Sequence, residues 1–187
     1  TRNESLPKKE TPAPKPPKKG AVIKDDKKTG NYKVMDVKKK QVSFKAPVSK
    51  KSKTVKIPST IKISGVSYKV VSIYASAFKN NKKVTKITIG SNITSIYSNA
   101  FKGCTALKTI TLTSKINKIE SNAFYGCKKL KTITIKSTKL SSKTVSKNAF
   151  KGISKTTTIK VPKKKYSAYK KLLKSRGLSS KVKIKAY

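Results

Sequence analysis

Asn99-Ala100-Phe101-Lys102-Gly103-Cys104-Thr105-Ala106-Leu107-Lys108-Thr109-Ile110-Thr111-Leu112 returns as Asn122-Ala123-Phe124-Tyr125-Gly126-Cys127-Lys128-Lys129-Leu130-Lys131-Thr132-Ile133-Thr134-Ile135. The Ala-Phe pair also stands at Ala77-Phe78 and Ala149-Phe150, so successive phenylalanines are 23, 23 and 26 residues apart. A unit recurring at a near-constant period of this size is the signature of a solenoid, whose coils bury a continuous core only by stacking on one another.

The apolar positions of the units align. Ile87, Ile110, Ile133 and Ile159 form one column, and Ile89, Leu112, Ile135 and Val161 another. Ile93 with Ile96 and Ile116 with Ile119 continue the pattern, with Leu140 and Val145 following after a three-residue insertion. Stacked coils set such columns roughly 4.8 Å apart, as neighbouring strands are. The column Val84, Leu107, Leu130 runs into Thr156, where a polar residue reads as the end of the core.

The flanks differ. Residues 1–30 hold Pro7, Pro12, Pro14, Pro16 and Pro17 among lysines, and the expected state is a disordered Pro/Lys-rich linker. Residues 31–76 alternate with period two and carry a hairpin signal at Ser64-Gly65, so they read as an amino-terminal β cap and lead-in half repeat. Residues 77–161 are the repeats, about four coils of 23–26 residues. In residues 162–187, Tyr166, Tyr169, Leu172 and Leu173 fall at helical spacing before Gly177 and a final alternating stretch, Val182 to Ala186. This segment is expected to be a helix-strand cap over the end of the core.

The run Asn-Ala-Phe-x-Gly-Cys-x-x-Leu, followed by Lys-Thr-Ile-Thr-Leu or Lys-Thr-Ile-Thr-Ile, resembles the BspA-like (treponemal-type) leucine-rich-repeat family of bacterial surface proteins. The resemblance covers residues 54 to about 187. It implies a parallel-sheet solenoid with little regular helix, a secreted or cell-surface location, and a non-catalytic binding or adhesion role toward partners that vary across the family. The fold expected is thus a short leucine-rich-repeat solenoid, mostly β and irregular, with a cap at each end.

Charge bears on the partner. The chain has 48 basic residues against 6 acidic ones, a net charge of +42, and only Arg2 and Arg176 are arginine. So lopsided a balance costs self-repulsion and points to a polyanionic partner. With two arginines, sequence-specific nucleic-acid reading is not expected, because the bidentate fork that reads guanine is missing; any nucleic-acid binding would be non-specific. In the Leu-x-x-Ile-x-Ile strand the x positions, Thr85, Thr157 and Thr158 among them, are expected to face outward. The candidate ligand-binding residues among these are Lys86, Thr88, Lys108, Thr109, Thr111, Lys131, Thr132, Thr134 and Lys160. Their hydroxyl and ammonium groups suit an anionic polymer or glycan, or a host or bacterial surface protein. Tyr97 and Tyr125 are the only aromatics expected at the surface of the repeats, too few for base stacking. The alternative is a structural or attachment module of a larger surface protein with no ligand of its own.

The chain has no histidine, and Asp36 and Glu120 are the only acidic residues in the part expected to fold. No catalytic residues, metal site or cofactor are therefore expected, and no spacing supports a Ser-Lys dyad. Cys104 and Cys127 share one coil position, taken by Asn81 and Ile153 in the outer copies. Ile153 favours an apolar slot holding free buried thiols; a disulfide between adjacent coils is the other reading. No apolar run is long enough for a transmembrane helix, so no membrane insertion is expected. The chain opens on Thr1 without an apolar signal core, as expected for a processed chain or a fragment of a longer one, and its expected state is a monomer.

Overall fold

The computed structural model describes residues 14–187. Residues 1–13, the first part of the expected linker, lie outside the described residues. The rest of that linker is not all unstructured. Strand β1 (Val22–Lys24) pairs antiparallel with β2 (Asn31–Asp36), so the ordered fold starts ahead of residue 31. Asp25, 4% exposed, closes the intervening turn: its Oδ1 accepts from the backbone N–H of Thr29 at 2.7 Å and Gly30 at 3.2 Å. Sequence reading missed this because one carboxylate and two apolar residues among lysines give little periodic signal.

From β2 the chain turns into β3 (Gln41–Ala46), antiparallel to it, and then into β4 (Thr54–Lys56). Next comes the expected hairpin, β5 (Thr60–Ile63) and β6 (Val66–Ile73), whose two turn residues, Ser64 and Gly65, both have positive φ. That is the mirror-image turn whose twist matches the strands it joins. The next two coils give one strand to each of two sheets, and the later ones a strand to one sheet alone. Strands β7 (Lys86–Thr88), β9 (Thr109–Leu112), β11 (Thr132–Ile135) and β12 (Thr158–Val161) alternate with β8 (Ser95–Ile96), β10 (Lys118–Ile119) and a single bridge at Val145. Helix α1 (Tyr166–Lys174) and β13 (Lys183–Ala186) complete the chain.

One sheet is wholly parallel, in the order β4-β7-β9-β11-β12-β13; the other runs β1-β2-β3-β6-β8-β10, with β5 beside β6. The parallel sheet corrects the extent of the array. Both β4 in the lead-in and β13 in the carboxy-terminal segment are full rungs of it, so the solenoid has six passages rather than about four. In the fifth coil α1 takes the place of the second-sheet strand. It buries Tyr169, Leu172 and Leu173, and the Tyr169 hydroxyl donates to Ser137 O (2.9 Å) while accepting from Leu140 N (3.1 Å).

The repeated motif has a backbone reason. Asn99, Asn122 and Asn148 stand at φ of 60°, 57° and 61°, in the left-handed region that asparagine tolerates better than most residues. Four residues on, Gly103, Gly126 and Gly152 are again left-handed. A Cβ on Gly103 would collide with the side chain of Asn80 one coil below. Between these two kinks the phenylalanine turns inward. Phe78, Phe101, Phe124 and Phe150 stack with centroids 5.1–5.5 Å apart and ring planes 6–21° from parallel. Phe44 from β3 extends the stack at 5.4 Å, with Tyr32 packed edge-on against it, so the amino-terminal cap is joined to the coils through the same spine. Beside the rings the amides climb rung by rung: Phe78 N to Ala100 O (2.7 Å), Phe101 N to Ala123 O (2.8 Å), Phe124 N to Ala149 O (2.9 Å) and Phe150 N to Arg176 O (3.3 Å). Gly177 then follows at the place of a further phenylalanine, and the spine stops.

One detail of the core differs from expectation and another agrees with it. In the last Ala-Phe copy Thr157, not Thr156, is the buried residue, and it does not face outward. Its hydroxyl bonds Leu130 O at 2.6 Å and Ser154 O at 2.7 Å, which satisfies a polar group where the other coils place Leu or Val. The cysteines are free and buried, and each thiol donates to a phenylalanine carbonyl of the preceding coil: Cys104 to Phe78 O at 3.1 Å and Cys127 to Phe101 O at 3.2 Å. Burial pushes the Cys104 thiol up to about 12 and raises Cys127 as well.

Candidate binding face

Strand register places the candidate residues. Along a strand alternate side chains point to opposite faces. Ile87, Ile110, Ile133 and Ile159 point inward and are buried, so their neighbours on either side point out. The outer face of the parallel sheet therefore carries two columns. One holds Thr54, Lys86, Thr109, Thr132, Thr158 and Lys183; the other holds Lys56, Thr88, Thr111, Thr134, Lys160 and Lys185. Lys108 and Lys131 stand just ahead of β9 and β11, linked by Lys131 N to Lys108 O at 2.7 Å, and are exposed.

All nine candidate residues thus lie on or at the border of one face. The middle strands β9 and β11 present a floor of four threonines, Thr109, Thr111, Thr132 and Thr134. Lysines surround it: Lys86 and Lys160 on the strands to either side, Lys108 and Lys131 at the strand starts, and Lys136 past the end of β11. Part of this floor is a depression of about 330 Å³ lined by Lys86, Thr88, Thr109, Thr111, Thr113 and Lys136. Residues unnoticed in the sequence are β4's Thr54 and Lys56 and β13's Lys183 and Lys185. They extend the face by one strand at each end, and the alternating Thr-Val-Lys and Lys-Ile-Lys were the signal for them.

The lysines are electrostatically unspent. Asp25 and Asp26 belong to the ordered part along with Asp36 and Glu120, and all four carboxylates accept backbone N–H groups: Asp26 from Ser64 and Gly65, Asp36 from Lys39, Glu120 from Ser98. Among the described residues there is one ion pair, Lys118–Glu120 at 2.8 Å, away from the threonine floor. Burial works against ionisation of Glu120, but hydrogen bonds from Lys118 and Ser98 outweigh it and hold the carboxyl below the ordinary range. On the sheet face itself Lys160 stands directly opposite Lys185, a like-charge cross-strand pair that is destabilising by itself.

The aromatic residues do not form a stacking platform. Tyr97 is half-buried edge-on against Tyr74, with centroids 6.3 Å apart, and Lys118 lies over its ring. Lys33 donates to the Tyr74 hydroxyl at 2.8 Å, which lowers that phenol's pKa and ties the cap to the first coil. Tyr125, 38% exposed, sits alone under Lys102. The Tyr74–Tyr97 pairing had a sequence signal in its 23-residue offset, one coil period.

The model of the BspA type leucine rich repeat region, in six copies, matches residues 71–185. The chain belongs to the BspA-type leucine-rich-repeat family. Five strands of the parallel sheet, β7, β9, β11, β12 and all but the last residue of β13, lie within the matched residues, and the Phe spine and the left-handed Asn and Gly positions are the physical content of the family's repeat in this chain. Among solved structures, a leucine-rich repeat protein from Bacteroides ovatus is similar at 26% identity and a TM-score of 0.58, over 71% of this chain and 36% of that one. A leucine rich repeat protein of T. pallidum matches at 20% identity and TM-score 0.50, over 82% of this chain and 65% of its own. A leucine rich cell surface protein from Faecalibacterium prausnitzii matches at 20% and 0.53, over 75% and 45%. The chain therefore spans between about a third and two thirds of the length of these proteins. No curated protein matches the sequence. The BspA-type domain is thus structurally similar to bacterial leucine-rich-repeat proteins, one of them described as a cell-surface protein. Among the described residues no helix is long and apolar enough to cross a membrane.

Proposed function

We propose that this BspA-type domain is a non-catalytic module of a secreted or cell-surface bacterial protein, and that it binds an anionic polymer on the outer face of its parallel sheet. One observation carries the reading: the described carboxylates are occupied with backbone amides, while lysines ring a threonine floor with no acidic side chain among them. Cations left without internal partners gain most from an external polyanion, and threonine hydroxyls supply donors and acceptors for its neutral groups. The surface location is supported by the family and by the cell-surface description of the Faecalibacterium protein.

The test is a binding panel for the full chain: acidic wall polymers, acidic glycans, matrix proteins and duplex DNA, at low salt and at about 150 mM. At the higher ionic strength, exposed charges act over a Debye length of roughly 8 Å. Binding to an acidic polymer that persists there supports the reading. Uniform binding to every polyanion that vanishes with salt leaves charge alone and refutes a dedicated face. The partial coverage of longer relatives gives the other reading its support: a structural segment of a larger surface protein would bind no panel member.

A further inference from the structure

Resting on that reading, we infer that the ligand is a linear acidic glycan lying across the strands, along the solenoid axis, one charged group after another meeting successive coils. Register is the reason. Every strand of the parallel sheet carries a lysine on the outer face or at its start: Lys56 on β4, Lys86 on β7, Lys108 before β9, Lys131 before β11, Lys160 on β12, and Lys183 with Lys185 on β13. All seven are exposed. Neighbouring strands are about 4.8 Å apart, so the six strands carry cations over roughly 24 Å with one step per coil. The cations are staggered along the strands: Lys56, Lys160 and Lys185 at one level, Lys86 and Lys183 two residues before it, and Lys108 and Lys131 at the strand starts. A chain lying parallel to a strand would meet at most two of them.

Position along the row also differs in kind. The end strands put lysine directly on the face, and the two middle strands put threonine there, with lysine displaced to the border. An occupant therefore meets cations at both ends and hydroxyls in the centre. A polymer bearing both charge and hydroxyl groups matches this; a chain of charge alone offers only acceptors, so it engages Thr109, Thr111, Thr132 and Thr134 as donors and leaves their acceptor lone pairs without added partners. The Lys160–Lys185 juxtaposition supports the same occupant, since an anion seated between them turns a repulsion into two attractions.

The experiment is a length series with the full chain: oligogalacturonides from dimer to dodecamer, titrated at about 150 mM salt, beside inorganic polyphosphate of matched charge. The expected affinity rises roughly two- to five-fold for each further exposed lysine reached, then levels once the extended oligomer spans about 24 Å. Lys56→Gln with Lys185→Gln should weaken the oligomers that span the face more than the dimer, whereas Lys108→Gln with Lys131→Gln should weaken all. Equal affinity for the dimer and the longest oligomer, or equal sensitivity of all lengths to the end-strand pair, overturns the axial arrangement while leaving anionic binding intact. Tighter binding of polyphosphate than of the oligogalacturonide overturns the glycan assignment. Absence of binding by every oligomer and by polyphosphate overturns the underlying reading as well.

Discussion

Phe44, Phe78, Phe101, Phe124 and Phe150 stack inside the coils, while Thr54, Lys86, Thr109, Thr132, Thr158 and Lys183 stand in line outside them. The two columns share a backbone and a period. Inside, one residue type recurs, because each ring fills the space its neighbours leave and the left-handed Asn and Gly kinks fix where it points. Outside, threonine and lysine both occur, in no regular order. What varies there is charge, and the fold tolerates the variation because nothing is stacked on it. The ring stack is carried by the turns inside the coils and the proposed recognition face by the outer side of the parallel strands, so stability and binding are separable by substitution.

The largest effect expected is on the inner column. Phe124→Ala removes a ring held between two others and should cost about 3–5 kcal/mol, whereas Thr132→Ala on the outer face should stay within roughly 0.5 kcal/mol of the parent; urea unfolding of both variants measures the gap. A comparable cost at the two positions would erase the distinction. Next in size is Tyr169→Phe. Losing one hydroxyl strands Ser137 O and Leu140 N beneath the helix, at a cost of about 1–3 kcal/mol, and the loss should register as a lower melting temperature. At the kink, Asn122→Gly should be nearly neutral, while Asn122→Val should cost about 1–2 kcal/mol because a β-branched residue resists the left-handed conformation.

A pH measurement sharpens the inner side further. The Cys104 thiol, ordinarily 9.0, is pushed up to about 12 by burial. A folded-state value above the unfolded one means that the stability it contributes is fully present below pH 9 and drains away as pH rises from about 9 toward 12. Cys104→Ala should therefore show a shallower loss of stability over that window than the parent, read from urea midpoints at matched pH. Parallel slopes would place the thiol in a wetter site than the structure gives it. The smallest effect belongs outside: Lys160→Thr relieves the pairing with Lys185 and should raise stability by a few tenths of a kcal/mol, roughly the size of a cross-strand pair. That gain should fade as salt is added.

Most of this architecture was legible in the sequence because solenoid packing writes itself as a period. The Ala-Phe spacing located the core columns, and the alternation in Thr132 to Ile135 located the outer face. What was not legible lacked a period. Phe44 lies 34 residues before Phe78, at no multiple of the coil, yet it crowns the spine. Strand β1 depends on Asp25 gathering two amides, a contact without a pattern. Strand β13 read as a cap because a helix precedes it; the helix stands in for a strand, and the coil resumes after it. Thr157 reached the core through a one-residue shift that its hydroxyl bonds stabilise. The nine candidate residues are indeed gathered on or beside one face, but the flanking Lys56, Lys183 and Lys185 could be joined to them only through the register.

The most direct test of the separation removes the face and keeps the fold. One variant carries Lys86→Gln, Lys108→Gln, Lys131→Gln and Lys160→Gln; a second, with the same net charge, carries Lys82→Gln, Lys83→Gln, Lys128→Gln and Lys129→Gln at exposed positions off the parallel sheet. Binding to an acidic glycan at about 150 mM salt, compared with the parent, should be lost in the first and kept in the second, with both melting like the parent. Equal losses in the two variants would contradict the account, because binding would then follow total charge and not the sheet face.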